Sequence, residues 1–217
     1  MFAKDFITKE IPVLNLFDSS RYALSLMEDF KLKHLPLVAD NVYLQLVAEK
    51  DLLISSDDLQ MKNLNFVMSP VYVSPDAHVL EVVSLMTRHG LSLVPVVEEK
   101  QYRGVVLRDR VVDVLSEMTG AESTGSIIML ELVKEDYSIS DISRIVESNR
   151  AHILSLLSRM CNEKIYISLK LDLEDPSPVI RSFERFNYSV LSYSVGNNII
   201  DEQFQQRMNE VLYYMNL

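Results

Sequence analysis

Histidine, cysteine and clustered glycine are the residue types that most often announce chemistry, and in this chain each is scattered. The four histidines stand at 34, 78, 89 and 152. That spacing holds no HExxH and no Cys pair, so no metal-ligand set is written along the sequence. The single cysteine, Cys161, follows an apolar stretch without a nucleophile signature and reads as a structural thiol. Glycines at 90, 104, 120, 125 and 196 assemble neither a P-loop nor a dinucleotide fingerprint. Charged side chains recur at two equivalent junctions, Gln45-Leu46-Val47-Ala48-Glu49-Lys50-Asp51 and Gly104-Val105-Val106-Leu107-Arg108-Asp109-Arg110, the first with the carboxylate of Asp51 and the second with the cations of Arg108 and Arg110. The plainer reading is that Asp51 favours the start of a short helix through its dipole, and that the arginines are solvated or ion-paired.

The junctions are equivalent because the chain repeats itself. Ser25-Leu26-Met27 and Ser84-Leu85-Met86 each precede a proline by the same distance, and a gap-free offset of 59 also aligns Pro36 with Pro95 and Tyr43 with Tyr102. Such a period is read before any motif. Each copy begins with a short extended piece, Pro12-Val13-Leu14 or Val71-Tyr72-Val73. A helix follows, with one apolar stripe through Ala23, Leu24, Met27 and Phe30, or through Val79, Val82, Val83 and Met86. Two strands come next, Leu35 to Val38 with Tyr43 to Val47, and Val94 to Val97 with Tyr102 to Val106, before a second short helix. Pro36 and Pro95 lack an N–H, which places them at a strand start or a sheet edge.

Ser55-Ser56-Asp57-Asp58 reads as the linker between copies, and Gly120 to Gly125 as a second boundary. Beyond it the pattern is βαββαβ: strands over Ser126–Val133, Ala151–Met160, Ile165–Leu171 and Tyr188–Val195, with helices over Ser140–Ser148 and Pro178–Phe186. After Gly196, Ile200, Phe204, Met208, Leu212 and Met215 recur at helical spacing, a stripe that must be buried against this chain or a partner. The expected organisation is therefore residues 1–60 and 61–120 as the two copies, 121–125 as linker, 126–196 as the third unit and 197–217 as a terminal helix.

Bulk composition narrows the partners. With 21 basic and 31 acidic residues the net charge is −10, and no Lys/Arg cluster relieves the repulsion a nucleic acid would meet. MFAKDFITKEIP lacks an apolar signal core, and no apolar run approaches membrane length. One cysteine excludes an intrachain disulfide. These features point to a cytoplasmic protein without nucleic-acid or membrane partners.

The duplicated β-α-β-β-α unit resembles the CBS domain, which occurs in tandem as a Bateman module. The likeness covers residues 8–118 and is carried by the repeated segments, by Lys33-His34-Leu35-Pro36-Leu37-Val38 and by Val73-Ser74-Pro75-Asp76. The third unit resembles an ACT domain through Ile139 to Val146 and Ala151-His152-Ile153-Leu154-Ser155-Leu156. Two CBS domains followed by an ACT-like domain is the layout of AcuB-type proteins, and it implies an α+β regulatory homodimer rather than an enzyme.

The resemblance also implies a ligand and its contacts. CBS domains that bind adenosine compounds carry G-h-h-[ST]-x-x-D at the strand-to-helix junction, the acid on the ribose and the hydroxyl near a phosphate. Here Asp51 keeps the acid while Ala48 replaces the hydroxyl residue and Gln45 the glycine; Gly104 is kept while Leu107 replaces the hydroxyl residue and Arg110 the acid. The expected ligand set is Asp51, Ala48, Leu35, Pro36 and His34 in the first half-site, with Arg108 and Arg110 in the second. The expected ligand is an adenine nucleotide (AMP, ADP or ATP) or S-adenosylmethionine. The alternative is a ligand-free scaffold that dimerises and holds an unidentified target protein. In the ACT-like unit, Asp136-Tyr137 stands where amino-acid-binding members carry Pro-Gly, and Arg150 stands at a second glycine position, so a dimerising sheet edge is expected there rather than an amino-acid site.

Overall fold

The computed structural model describes residues 1–56, 58–64 and 70–195, and the backbone of residues 198–201. Two compact units divide between Val114 and Leu115.

In the first unit each copy contributes a helix, a hairpin and a second helix: α1 (Ser20–Asp29), β1 (His34–Ala39), β2 (Val42–Ala48) and α2 (Glu49–Leu53), then α3 (Val79–His89), β3 (Leu93–Glu98), β4 (Gln101–Leu107) and α4 (Arg108–Thr119). The helices start where the side chains allow. Ser19 Oγ accepts from the Tyr22 N–H at 3.2 Å to cap α1, and His78 with Glu81 forms a reciprocal cap on α3. Both stop at a left-handed residue, Gly90 for α3 (φ 64°) and, 59 positions earlier, Lys31 for α1 (φ 55°). Met27 and Met86 are buried, as the stripes predict.

The four strands form one antiparallel sheet in the order β1-β2-β4-β3. The copies join at its centre: Val42 pairs with Gln101, the Tyr43 N–H donates to the Lys100 carbonyl at 3.0 Å, and the Tyr102 N–H donates to the Asn41 carbonyl at 2.8 Å. The lead-in segments add one parallel bridge at each edge. Leu14 N–H donates to the Pro36 carbonyl at 2.8 Å and Val73 N–H to the Pro95 carbonyl at 3.0 Å. A strand residue's nitrogen and carbonyl face the same side, so each proline nitrogen faces the lead-in segment and no β1–β2 or β3–β4 hydrogen bond is lost. The prolines are third in their strands, but on edge strands, which is the condition that matters.

Residues 1–8 belong physically to the second copy. Thr8 and Val105 exchange backbone hydrogen bonds at 2.9 and 3.0 Å, and the Ala3 N–H donates to the Ala77 carbonyl at 2.8 Å.

The second unit contains β5 (Ser126–Val133), α5 (Ile139–Ser148), β6 (Ile153–Cys161), β7 (Lys164–Leu171), α6 (Ser177–Arg185), β8 (Ser189–Val195) and β9 (Asn198–Asp201). Its sheet runs β6-β7-β5-β8-β9, all neighbours antiparallel. Ile142, Ile145 and Val146 of α5 and Val179, Ile180 and Phe183 of α6 pack on Ile128, Leu130, Ile167 and Leu169 of one sheet face. Cys161 is exposed at the end of β6, so its thiol is not a buried core group. Residues 198–201 extend beside β8 instead of opening the expected terminal helix, because pairing with Val195 to Ser192 satisfies their backbone. The remainder of that expected helix, 202–217, lies outside the described residues.

The duplication is imperfect at one buried pair. The Tyr43 hydroxyl donates to the Val71 carbonyl at 2.8 Å. The Tyr102 hydroxyl is buried with no partner among the described residues, and burial pushes its pKa up to about 12. Tyr43→Phe therefore strands a carbonyl and costs about 1–3 kcal/mol, whereas Tyr102→Phe removes an unsatisfied group and is neutral or stabilising. Urea unfolding of the two variants against the parent chain measures the difference.

Candidate functional site

The site is assembled where the copies meet. The Glu49 N–H donates to the Lys33 carbonyl at 2.9 Å and the Arg108 N–H to the Ser92 carbonyl at 3.1 Å, equivalent bonds that tie each second helix to the start of its own hairpin. Lys33 and Ser92 are themselves equivalent, and they touch: the Lys33 N–H donates to Ser92 Oγ at 3.3 Å. His34 completes this contact. Its Nδ1 accepts from the Ser92 N–H at 3.2 Å and lies 3.0 Å from Ser92 Oγ. An Nδ1 that accepts from a backbone N–H carries no proton, so the neutral ring is protonated on Nε2.

Charges from both copies act on this imidazole. Burial, reinforced by the positive charges of Lys50, Arg108 and Lys33 and opposed by Asp51, lowers the His34 pKa from 6.5 to about 4. Asp51 and Lys50 come from α2 of the first copy, Arg108 from α4 of the second. The sequence-predicted residues thus separate into groups. His34 and Ala48 are direct cross-strand partners, Asp51 is exposed on the helix that follows Ala48, and the positive charge of Arg108 from the other copy is felt by the same histidine. Leu35 is fully buried in the core of the first copy, and Pro36 is buried with its carbonyl already used by Leu14.

Arg110 is directed elsewhere. Its guanidinium sits 5.7 Å over the Phe6 ring and 3.4 Å from Asp113. Gly104 has a backbone reason to be glycine: at φ 135° a Cβ would meet Ile7 and come within 2.7 Å of the Thr8 carbonyl. The N-terminal segment therefore accounts for both features of the second junction, and the two half-sites differ in surroundings as well as sequence.

Sequence reasoning missed Ser92, Lys50 and the Phe6–Thr8 segment. The alignment of Ser92 with Lys33 was a usable signal, since residues equivalent under a twofold repeat can meet at its axis. Nothing in the local pattern of residues 6–8 indicates which copy they join.

The second unit offers a groove of about 550 Å³ beside the β5–α5 connection, lined by Leu132, Glu135, Asp136, Asp141, Phe186 and Tyr188 among others. Its lining cation, Arg144, is 2.7 Å from Asp141, so the carboxylate of an amino acid would face acidic walls. Tyr137 packs on the core, and Arg150 takes φ 57°, the conformation a glycine adopts freely. Among the described residues, no group of three or more His, Cys, Asp or Glu side chains is arranged to hold a metal, and no helix is long and apolar enough to cross a membrane.

The first unit is a duplicated β-α-β-β-α fold joined through its second strands, and residues 63–117, its second copy, match the CBS domain family. Across 197 residues the chain is 23% identical to an uncharacterized protein of Methanocaldococcus jannaschii, covering 86% of this chain and 71% of that one. A CBS domain pair/ACT domain protein from Thermotoga maritima is 21% identical, with a TM-score of 0.49, over 54% of this chain and 98% of the other. The structure of CBSX2 in complex with AMP is 22% identical, with a TM-score of 0.47, over 54% of this chain and 96% of that one.

Two outcomes follow from this geometry. Gly104→Ala forces the N-terminal segment off β4, and the variant loses stability and gains rapid amide exchange at Thr8 and Val105. The second concerns pH. His34 is harder to protonate folded than unfolded, so the unfolded chain binds the extra proton between about pH 6.5 and about pH 4. The His34 contribution to stability is complete above that window and is lost as pH falls through it. His34→Gln, which retains an acceptor for the Ser92 N–H, flattens the slope of unfolding free energy with pH across the same interval.

Proposed function

We propose that the chain is a non-catalytic regulatory protein whose first CBS half-site takes an adenine nucleotide. What supports this reading is the contact of His34 with Ser92 where the copies meet, at an imidazole that feels the charges of Asp51 and Lys50 from one copy and of Arg108 from the other. In this reading Asp51 accepts from the ribose hydroxyls, and the surrounding cations receive the phosphate. Three positive side chains against one carboxylate favour a nucleoside phosphate over the sulfonium of S-adenosylmethionine. The Arg110 junction takes no second nucleotide while Phe6 and Asp113 engage that guanidinium, so one ligand binds per chain.

Regulation in this scheme is a change of population. A ligand held by Asp51 of one copy and Arg108 of the other favours the arrangement that lets it engage both, and it shifts a homodimer or a bound target enzyme only by its differential affinity; tenfold amounts to about 1.4 kcal/mol. The competing reading, a ligand-free scaffold, draws on the missing hydroxyls at Ala48 and Leu107.

Thermal unfolding with AMP, ADP, ATP and S-adenosylmethionine separates the two. A nucleotide at a hundred times its Kd adds about 2.7 kcal/mol of stability. Asp51→Ala removes charge-assisted hydrogen bonds and weakens binding by about ten- to a hundredfold. Arg108→Gln weakens ATP more than adenosine. No shift with any nucleotide at millimolar concentration establishes the scaffold instead.

A further inference from the structure

Beside α3 lies a groove of about 550 Å³, walled by Tyr72 of the lead-in segment, by Ala77, and by Leu80, Ser84 and Leu85 of the helix. Val79, Val82 and Met86 are the buried side of α3. At 3.6 residues per turn the opposite side carries Glu81, Ser84 and Arg88, all exposed. Leu80 flanks that ridge and is 54% exposed, and Tyr72, its ring held edge-on by Tyr43 at 5.9 Å, is 50% exposed. Two large apolar side chains therefore stand in water beside a ridge whose middle residue is a small serine.

The ridge is also polarised. Glu81 lies in the first turn of α3 and Arg88 in the last, about 10 Å apart along the axis, with Ser84 between them. The Glu81 carboxylate is fixed in place, since its Oε1 accepts from the His78 N–H at 3.0 Å. A ridge with an acid at one end and a base at the other complements itself when turned end for end. From this the geometry points to a second copy of the chain as the occupant. The α3 helices of two chains pack antiparallel, Ser84 lets the axes approach, Leu80 and Leu85 enter the facing grooves, and each Glu81 meets the partner's Arg88. Helix α1 fits that geometry badly. The 59-residue offset puts Arg21 and Asp29 where α3 has Leu80 and Arg88, so its charges run from base to acid. Laid antiparallel on α3, it sets Arg21 near Arg88 and Asp29 near Glu81, and like charges select against the pairing. One helix pair covers less than the roughly 800 Å² per partner of a stable complex, so this association depends on concentration. It is independent of nucleotide binding, whose proposed residues lie on β1, α2 and α4.

Sedimentation equilibrium of the chain over a range of concentrations tests the contact. The parent chain self-associates as concentration rises. Arg88→Glu, a change on the exposed ridge, raises the Kd of association at least about tenfold, and Glu81→Arg does the same. Mixed in equal amounts, the two variants associate again, because one presents two acids and the other two bases. If Glu81→Arg misfolds for want of its cap, Ser84→Cys in a Cys161→Ser background still decides: on oxidation it forms a disulfide between chains. A parent chain monomeric at every concentration, association indifferent to Arg88→Glu, or a Ser84→Cys chain that crosslinks only to a Ser25→Cys chain would overturn the inference, the last by assigning the groove to α1.

Discussion

Everything specific in the first unit depends on two strands meeting back to back. The backbone exchange between Tyr43 and Lys100, and between Tyr102 and Asn41, makes one sheet from two hairpins and sets one copy against the other around a local twofold. Once that register is set, Lys33 must lie beside its own equivalent, Ser92, and His34 must fall between the two second helices. The site is a consequence of sheet pairing rather than of any loop. A one-residue slip of β2 against β4 would turn every side chain on those strands to the other face and dissolve it.

Symmetry then breaks at the places that matter for binding. His34 has no histidine equivalent, since the aligned residue is Leu93. One carboxylate and several cations share the neighbourhood of that imidazole, whose neutrality is maintained by burial and by the Ser92 N–H. At the other junction the chain has spent its glycine and its arginine on holding residues 6–8. A retained motif glycine is thus no sign of a retained ligand site here. The backbone of Thr8 supplies a sufficient reason for it.

The second unit shows how a sheet of this topology distributes its burden. Helices cover one face completely, with Phe183, Ile142 and Val146 fully buried against the strands. The β6–β7 hairpin and its neighbours present an opposite face whose apolar residues are part exposed. His152 is tied to Asp172 by backbone and side-chain bonds of 2.7 and 2.6 Å, which anchors the start of β6.

Much of this was legible in the residues alone. Period and apolar spacing identified both copies, the buried methionines, the edge prolines and the βαββαβ order, because each depends on local alternation between water and core. The broken symmetry between Asp51 and Arg110 was visible as well. The pairing of Ser92 with His34 was not, nor was the reach of Phe6 to Arg110, nor the extended run at 198–201, where Asn198-Ile199-Ile200 also suited a helical stripe. Each of those joins residues far apart in the chain, and local propensity carries no information about which distant strand will satisfy a backbone group. The sequence by itself determined which elements form and which junction keeps an acid. Only the tertiary structure decided which charges face one another, because that depends on the register of hydrogen bonds between strands 59 residues apart.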